Sequence, residues 1–267
     1  MLSNITIGQY VPEDSFIHKL DPRTKIIATM IFIVIVFFAE NPIGYLILGV
    51  FSLLVILMSK LPVKYVLRGL KPLVWIVLFT FVLNLFMTKG NVIWHFYFLQ
   101  ITDAGVKLGI YMSLRIMFLV LTTSILTLTT SPIALTDGIE KLLKPFNHIG
   151  VPSHELAMMM TIALRFIPTL LEETDKIMKA QMARGADFES GNIIKKAMSL
   201  IPILVPLFVG SFRRADELAM AMEARCYRGG DNRTRMKELH VHLSDYFAYI
   251  FMIAFSILLV WIGRKMK

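Results

Sequence analysis

Cysteine is almost absent from the chain: Cys226 is the single one among 267 residues. A lone cysteine excludes a disulfide framework and any zinc or iron–sulfur site built on cysteine. The sequence also lacks the G-x-x-x-x-G-K-[S/T] pattern that holds ATP phosphates and the H-E-x-x-H pattern of zinc proteases. We therefore expect no metal site and no cofactor bound by this chain, and we interpret His240 and His242 as solvated loop residues.

Charged residues are also scarce, at 18% of the chain, whereas soluble domains carry about a quarter. Residues 26–130 contain only seven basic and two acidic residues, and residues 131–242 contain fifteen and thirteen. With 56% hydrophobic residues and a mean hydropathy of +0.65, this segregation predicts a membrane part and a water-exposed part. The net charge of +9 comes mostly from the membrane part, so it indicates orientation in a bilayer rather than a nucleic-acid partner.

Long apolar runs predict an all-α, polytopic membrane protein with about five transmembrane helices. Residues 1–25 form an N-terminal segment, 26–130 hold the first four spans, 131–242 form a helical insert, and 243–267 hold the last span. The five predicted spans are 26–39, 43–58, 72–87, 104–129 and 246–262.

The distribution of basic residues predicts which side of the membrane each segment occupies. Lys60, Lys64, Arg68 and Lys71 lie between the second and third spans without an acidic residue among them. Because loops rich in Lys and Arg stay on the cytoplasmic side, we expect this loop, the N-terminus and the 131–242 insert to be cytoplasmic.

The span count leaves two alternatives open. With five spans, the basic tail 264–267 lies outside, so either that tail is tolerated or a further span lies in 92–99. The apolar run 197–212 contains two prolines and is only 16 residues long. We interpret it as a helix buried against the membrane face of the insert, with a sixth span as the alternative.

The insert contains an internal echo. We predict helices from about 132 to 146, 153 to 183 and 192 to 227, and the last two end in similar sequences. The first end has Asp175 followed by Ala183-Arg184-Gly185, and the second has Asp216 followed by Ala224-Arg225-Cys226, at an offset of 41 residues.

Each of these ends carries an arginine flanked by small residues. Small neighbours allow another backbone to approach, and a guanidinium holds a carboxylate with two hydrogen bonds. The pair therefore predicts two matched docking tips for two similar acidic sockets. The alternative is that each arginine only compensates the dipole at a helix C-terminus.

Near the N-terminus the chain reads His18-Lys-Leu-Asp-Pro-Arg-Thr-Lys25. With this motif, the two Ala-Arg tips and the spans on either side of a helical insert, the whole chain resembles the transmembrane T component (EcfT, CbiQ-like) of energy-coupling factor transporters. These are ABC importers of vitamins and transition metals. Within the N-terminal motif, the resemblance assigns His18, Asp21, Pro22 and Arg23 as family residues.

The resemblance implies a coupling scaffold that is not itself an enzyme. Its insert forms coupling helices whose tips dock into grooves on two ABC ATPase subunits, which bind ATP and Mg. By this resemblance the docking residues are Ala183, Arg184, Gly185, Ala224, Arg225 and Cys226, and Cys226 departs from the usual glycine. The other implied partners are a substrate-binding S component and the lipid bilayer of a prokaryotic plasma membrane.

Two other classes of protein compete with a coupling scaffold. A stand-alone secondary transporter predicts inverted repeats and intramembrane polar clusters, whereas the repeat here lies in the insert. A membrane enzyme needs convergent His, Asp or Glu, and residues 26–130 offer only Glu40, His95 and Asp103. Arg115, within the fourth span, is expected to pack inside the bundle rather than bind substrate.

Overall fold

The computed structural model describes residues 10–96, 99–188, 192–229 and 239–265. The first half holds α1 (Phe16–Lys19), α2 (Pro22–Phe38), α3 (Pro42–Ser59), α4 (Val63–Leu70), α5 (Val74–Met87), β1 (Val92–Phe96), β2 (Leu99–Thr102) and α6 (Asp103–Thr129). The second half holds α7 (Pro132–Leu143), α8 (Ser153–Ala183), α9 (Ile193–Ser199), α10 (Ile201–Ala224) and α11 (Leu243–Lys265). The all-α prediction is confirmed.

A hairpin of two short strands is the exception to the helical pattern. Strands β1 and β2 pair antiparallel, with Val92 opposite Thr102 and His95 opposite Gln100. The alternative of a further helical span in 92–99 is therefore wrong. The physical reason is composition, since Val92, Ile93 and Trp94 are β-branched or aromatic residues that favour strands.

Six described helical segments, rather than the predicted five, are long and apolar enough to cross a membrane. They are Pro42–Ser59, Val63–Met87, Asp103–Thr129, Ser153–Ala183, Ile194–Ala224 and Leu243–Lys265. Two of them belong to the predicted insert: Ser153–Ala183, which is α8, and Ile194–Ala224, which contains α10 and most of α9. Helix α2, the predicted first span, has 17 residues and is not among the six. The chain is a multi-pass membrane protein, and the side on which each segment lies remains a prediction.

The chain divides into two compact units. Among the described residues, the bundle unit comprises 10–138 and 239–265, and the insert unit comprises 139–229, each with the gaps given above. Within the insert unit, the helix predicted from about 192 to 227 is divided at Leu200 into α9 and α10, and α10 continues through Pro206.

The core of the bundle unit forms around α2. Phe32, Val36 and Leu48 are at most 1% exposed, and they pack with buried side chains from α6 and α11. The Phe51 ring stacks on Phe32 at 5.3 Å and on Phe255 at 4.4 Å between centroids. Aromatic stacking of this kind adds to the free energy gained from burying apolar area.

The outward faces of the bundle are apolar as well. On α3, Leu46, Val50, Leu53 and Leu57 recur at helical spacing and are all at least half exposed. An apolar stripe of this size is a liability in water and is the expected surface of a helix in contact with lipid.

Glycines bring α5 and α6 close together. A Cβ atom added at Gly105 would lie 2.9 Å from the carbonyl oxygen of Asn84 and 3.0 Å from that of Leu85. One added at Gly109 would lie 3.0 Å from the Phe81 ring. Membrane helices gain from such close approach because dispersion contacts, rather than water exclusion, hold them together.

Replacing Gly105 with Ala tests this packing. The added methyl group meets main-chain carbonyls that cannot rotate away, so we expect the free energy of unfolding to fall by about 1–3 kcal/mol. Thermal unfolding of the full chain in detergent measures this change. The control is Gly49→Ala, whose added Cβ meets only the Phe118 ring at 3.7 Å; equal losses in both variants would contradict the close approach.

Candidate functional site

The predicted first tip is a left-handed helix end. Arg184 is the C-terminal cap of α8, and the chain then turns through Gly185. The Gly185 amide donates to the Met182 carbonyl and the Ala186 amide to the Gln181 carbonyl, each at 3.0 Å. These two bonds form a Schellman motif, which satisfies the last free carbonyls of the helix.

The predicted second tip repeats this arrangement bond for bond. Arg225 caps α10, the Cys226 amide donates to the Glu223 carbonyl at 2.8 Å, and the Tyr227 amide donates to the Met222 carbonyl at 3.0 Å. The sequence echo therefore corresponds to the same local structure at both helix ends.

The two tips differ at the residue that turns the chain. Gly185 has φ +88° and Cys226 has φ +55°, so both occupy the left-handed region. A residue with a Cβ atom is disfavoured there by about 1–2 kcal/mol. Cys226 thus takes the place of glycine at a local cost in free energy, and its thiol is exposed.

All six predicted docking residues are exposed to solvent: Ala183, Arg184, Gly185, Ala224, Arg225 and Cys226. Across the described residues, no carboxylate lies within 4.0 Å of either tip guanidinium. Both tip arginines are therefore accessible to a partner carboxylate.

Helices α8 and α10 cross at an ion pair. The Arg214 guanidinium binds the Glu173 carboxylate, and both side chains are less than one-third exposed. A Cβ atom added at Gly210 would lie 3.3 Å from Glu173 Oε1, so the glycine makes room for this pair. Glu173 and Arg214 are 41 positions apart, the same offset as the two tip arginines.

A second contact gives the relative direction of the two helices. Gln181 Nε2 donates to the Pro202 carbonyl at 3.5 Å. Because Gln181 follows Glu173 whereas Pro202 precedes Arg214, the two helices are antiparallel. Each tip arginine lies eleven positions beyond its member of the Glu173–Arg214 pair, or about 16 Å at 1.5 Å per residue. The insert unit therefore holds two arms of equal length whose tips leave the crossing in opposite directions.

The residue that follows the second tip takes part in a short series of side-chain hydrogen bonds. The Tyr227 hydroxyl lies 3.3 Å from His154 Nε2, and His154 Nδ1 lies 3.2 Å from Glu140 Oε1. These contacts join the residue after the Arg225 turn to the start of α8 and the end of α7. They hold the second tip beside the start of α8.

The N-terminal motif lies in the bundle unit and not at the tips. Asp21 is 5% exposed and caps α2 through a 2.8 Å hydrogen bond from the Arg23 amide. Pro22 occupies the first turn, where its missing N–H leaves no donor unsatisfied. The Arg23 guanidinium donates to both Asp21 carboxylate oxygens at 3.2 Å and to the Leu239 carbonyl at 2.9 Å.

Two residues outside the predicted set complete this cluster. Asp245 is 0% exposed, and it accepts from the Asp21 amide and the His242 amide, each at 2.8 Å. The Lys25 ammonium donates to the carbonyls of His18 at 3.1 Å and Thr129 at 2.9 Å. These bonds fasten the starts of α2 and α11 to the end of α6, so we interpret the motif as a structural clasp.

Two hydrogen bonds hold the His18 ring within the clasp. Its Nε2 donates to the Val11 carbonyl at 3.0 Å, and its Nδ1 lies 2.7 Å from the Ser15 hydroxyl. Burial lowers the pKa of His18 below its ordinary value; the Val11 hydrogen bond opposes this shift, and the Lys25 charge adds to it.

Arg115 packs inside the bundle, as predicted. Its guanidinium lies 5.1 Å from the centre of the Phe37 ring and donates to the Tyr45 hydroxyl at 3.3 Å. Among the described residues, no group of three or more His, Cys, Asp or Glu side chains is placed to hold a metal ion.

Comparison with known proteins identifies relatives along nearly the whole chain. Residues 13–236 match the CbiQ family, described as cobalt transport protein. The chain is 62% identical to the energy-coupling factor transporter transmembrane protein EcfT of Thermosediminibacter oceani, covering 93% of this chain and 94% of the relative. It is 61% identical to EcfT of Clostridium kluyveri over 99% and 100%, and 52% identical to EcfT of Bacillus subtilis over 90% and 91% of the two chains.

Exchanging the turn residues tests the equivalence of the tips. We expect Cys226→Gly to stabilise the second tip and Gly185→Ala to destabilise the first, each by about 1 kcal/mol, because only glycine avoids the left-handed penalty. Hydrogen exchange would then accelerate about fivefold at residues 185–186 in Gly185→Ala and slow about fivefold at residues 226–227 in Cys226→Gly. A shift in the same direction at both tips would contradict the assignment.

The clasp should weaken in acid. Because the folded protein holds the pKa of His18 below that of the unfolded chain, the unfolded chain takes up a proton first as the pH falls, so stability decreases between about pH 7.5 and 5.5. We expect His18→Gln to show a smaller decrease in melting temperature over this range. The control is His148→Gln, which changes an exposed histidine; if both variants match the unmutated chain, His18 does not carry the effect.

Proposed function

Because this chain belongs to the CbiQ family and is a transmembrane component of an energy-coupling factor transporter, we propose that it couples two ATPase subunits to a substrate-binding subunit. The chain transmits motion and catalyses no reaction. ATP and Mg belong to the partner ATPases, and the imported solute is a vitamin or another micronutrient.

The observation that carries the proposal is the pair of matched, exposed arginine tips. Arg184 and Arg225 cap their helices through the same hydrogen bonds and lie the same number of residues from the α8–α10 crossing. Two similar docking elements on one chain are suited to two similar binding sites on its partners. Two ATPase subunits of similar structure supply two such sockets.

Arginine suits a joint of this kind because its guanidinium is always charged and forms two parallel hydrogen bonds with a carboxylate. The small side chains of Ala183 and Ala224 let the wall of the socket approach each helix end. The neighbouring turn at Gly185 or Cys226 ends the helix within one residue of the arginine, so force on the tip passes directly into a rigid helix.

The crossing converts motion at the tips into motion of the helices. When ATP binding closes the two ATPases, both tips are drawn together; when hydrolysis opens them, the tips separate. Since the arms are of equal length about Glu173 and Arg214, each ATPase acts on the crossing with the same leverage. The helices then tilt as rigid bodies and transmit the change to the substrate-binding subunit.

An apolar face on α10 is the proposed contact for the substrate-binding subunit. Its five members recur at helical spacing and are 44–69% exposed: Leu204, Val205, Phe208, Val209 and Phe212. Methionines nearby, such as Met198 and Met220, are also exposed. Unbranched thioether side chains adapt to different partner shapes, which suits a scaffold shared by several substrate-binding subunits.

The proposed setting is the plasma membrane of a prokaryote, with the N-terminus and the insert in the cytoplasm. The support is the basic segment between α3 and α5, where Lys60, Lys64, Arg68 and Lys71 are all exposed. This orientation places Arg184 and Arg225 on the side of the membrane where ATP is available.

Charge reversal at the tips tests the proposal. We expect Arg184→Glu and Arg225→Glu each to reduce the ATPase recovered with the purified chain by more than tenfold. Loss of the arginine leaves the partner carboxylate buried and unpaired, which costs about 2–5 kcal/mol of binding free energy. The double variant should recover none. Co-purification from the native membrane, with membrane insertion verified for each variant, measures this.

The matched controls are Arg165→Glu on α8 and Arg213→Glu on α10, both exposed arginines away from the tips. They should retain the ATPases. Retention of the ATPases by the double tip variant, or their absence from the unmutated preparation, would show that the arginines only cap their helices.

A further inference from the structure

We propose that the wedge between α4, α5 and α6 in the bundle unit binds one anionic phospholipid, with its headgroup on the basic face of α4 and an acyl chain in the cavity behind it. The proposal rests on the membrane location of the bundle and is independent of the docking of ATPases.

The wedge arises because α4 and α5 contact α6 at two positions that are separated along the α6 axis. On one side of the wedge, Gly69 of α4 lies so close that an added Cβ atom would be 2.9 Å from Ser124 Oγ. On the other, Gly109 of α6 approaches the Phe81 ring of α5 equally closely. Between these positions, a 3-10 turn at Lys71–Leu73 separates α4 from α5, and a cavity of about 740 Å³ opens.

The rim of this cavity is basic. Lys64, Arg68 and Lys71 line it, and their spacing of four and three residues places them on one helical face. All three side chains are exposed, and in the described parts of the chain no carboxylate pairs with any of them. Three cations without a carboxylate partner beside an apolar cavity favour an anionic group at this position.

The interior of the cavity is apolar, lined by side chains such as Val74, Val77, Leu114 and Met117. Ser113 is a polar residue of the same lining; its hydroxyl is inaccessible to solvent and has no hydrogen-bond partner among the described residues.

The combined chemistry selects the ligand. A soluble phosphate or nucleotide would satisfy the cations and leave the apolar space unfilled, whereas a neutral lipid would fill the space and leave the cations unpaired. The volume lies within the range of ligand sites that enclose small molecules and chains. Basic pockets between membrane helices bind anionic headgroups by the same attraction, so an anionic phospholipid meets both requirements.

The test is native mass spectrometry of the delipidated full chain, given equal amounts of dioleoylphosphatidylglycerol and dioleoylphosphatidylcholine in detergent. We expect one phosphatidylglycerol to be retained in preference to phosphatidylcholine. The triple change Lys64→Gln, Arg68→Gln and Lys71→Gln should weaken this binding on the order of a hundredfold, since each basic side chain contributes about 1 kcal/mol and 1.4 kcal/mol is a factor of ten.

Two matched controls separate the site from general attraction. Lys195→Gln, Lys196→Gln and Arg213→Gln remove the same charge from exposed positions in the insert unit and should leave binding unchanged. Val77→Trp fills the cavity and should abolish binding, whereas Val82→Trp on the same helix, outside the cavity lining, should not.

Three outcomes would overturn the proposal. Equal retention of both lipids would exclude selectivity for an anionic headgroup. Equal losses in the two triple variants would indicate diffuse electrostatic attraction. Displacement of the lipid by inorganic phosphate, with no effect of Val77→Trp, would indicate a phosphate site without a chain-binding cavity.

Discussion

The ion pair between Glu173 and Arg214 fixes the point from which the two arms of the insert unit are measured. The pair joins two helices at equivalent positions of an internal repeat, and that equivalence sets the symmetry of everything beyond it. Partly buried and with Gly210 beside it, the pair is better shielded from water than a surface salt bridge, whose contribution is usually under about 1 kcal/mol. If the crossing slipped along either helix, the two arms would become unequal in length.

The bundle unit depends on a different kind of contact. Asp245 is fully buried, but both its oxygens are occupied by main-chain amides, from Asp21 and His242. A buried carboxylate is tolerated only when such donors and a nearby cation compensate it, and Lys25 is close enough to attract it. The charged groups of the clasp thus supply directional hydrogen bonds, which apolar contacts between membrane helices do not supply. It sets the register of α2, α6 and α11, while the tips remain exposed.

Sequence reasoning identified the features that repeat locally and missed those that depend on distant partners. The echo around Arg184 and Arg225 could be found because helix ends are encoded by adjacent residues, and even the left-handed turn follows from Gly185. Asp245 could not be assigned in the same way: an acidic residue in the first turn of a helix is ordinary, and its partner Asp21 is 224 positions away. The one available signal was an ionisable residue beside an apolar run, which is a functional or structural candidate by default. The hairpin of β1 and β2 was missed because a short apolar run does not distinguish a strand from a helix.

The left-handed cysteine at the second tip has a practical consequence. It is the sole thiol of the chain and it is exposed, so the unmodified protein carries a unique chemical handle on one arm and none on the other. A fluorophore or spin label attached there reports on the arm of α10 alone. Combining Cys226→Gly with Gly185→Cys moves the same reporter to the arm of α8. Two arms that are geometrically alike thus become spectroscopically distinguishable, and whether they move in step or in turn becomes a measurable property.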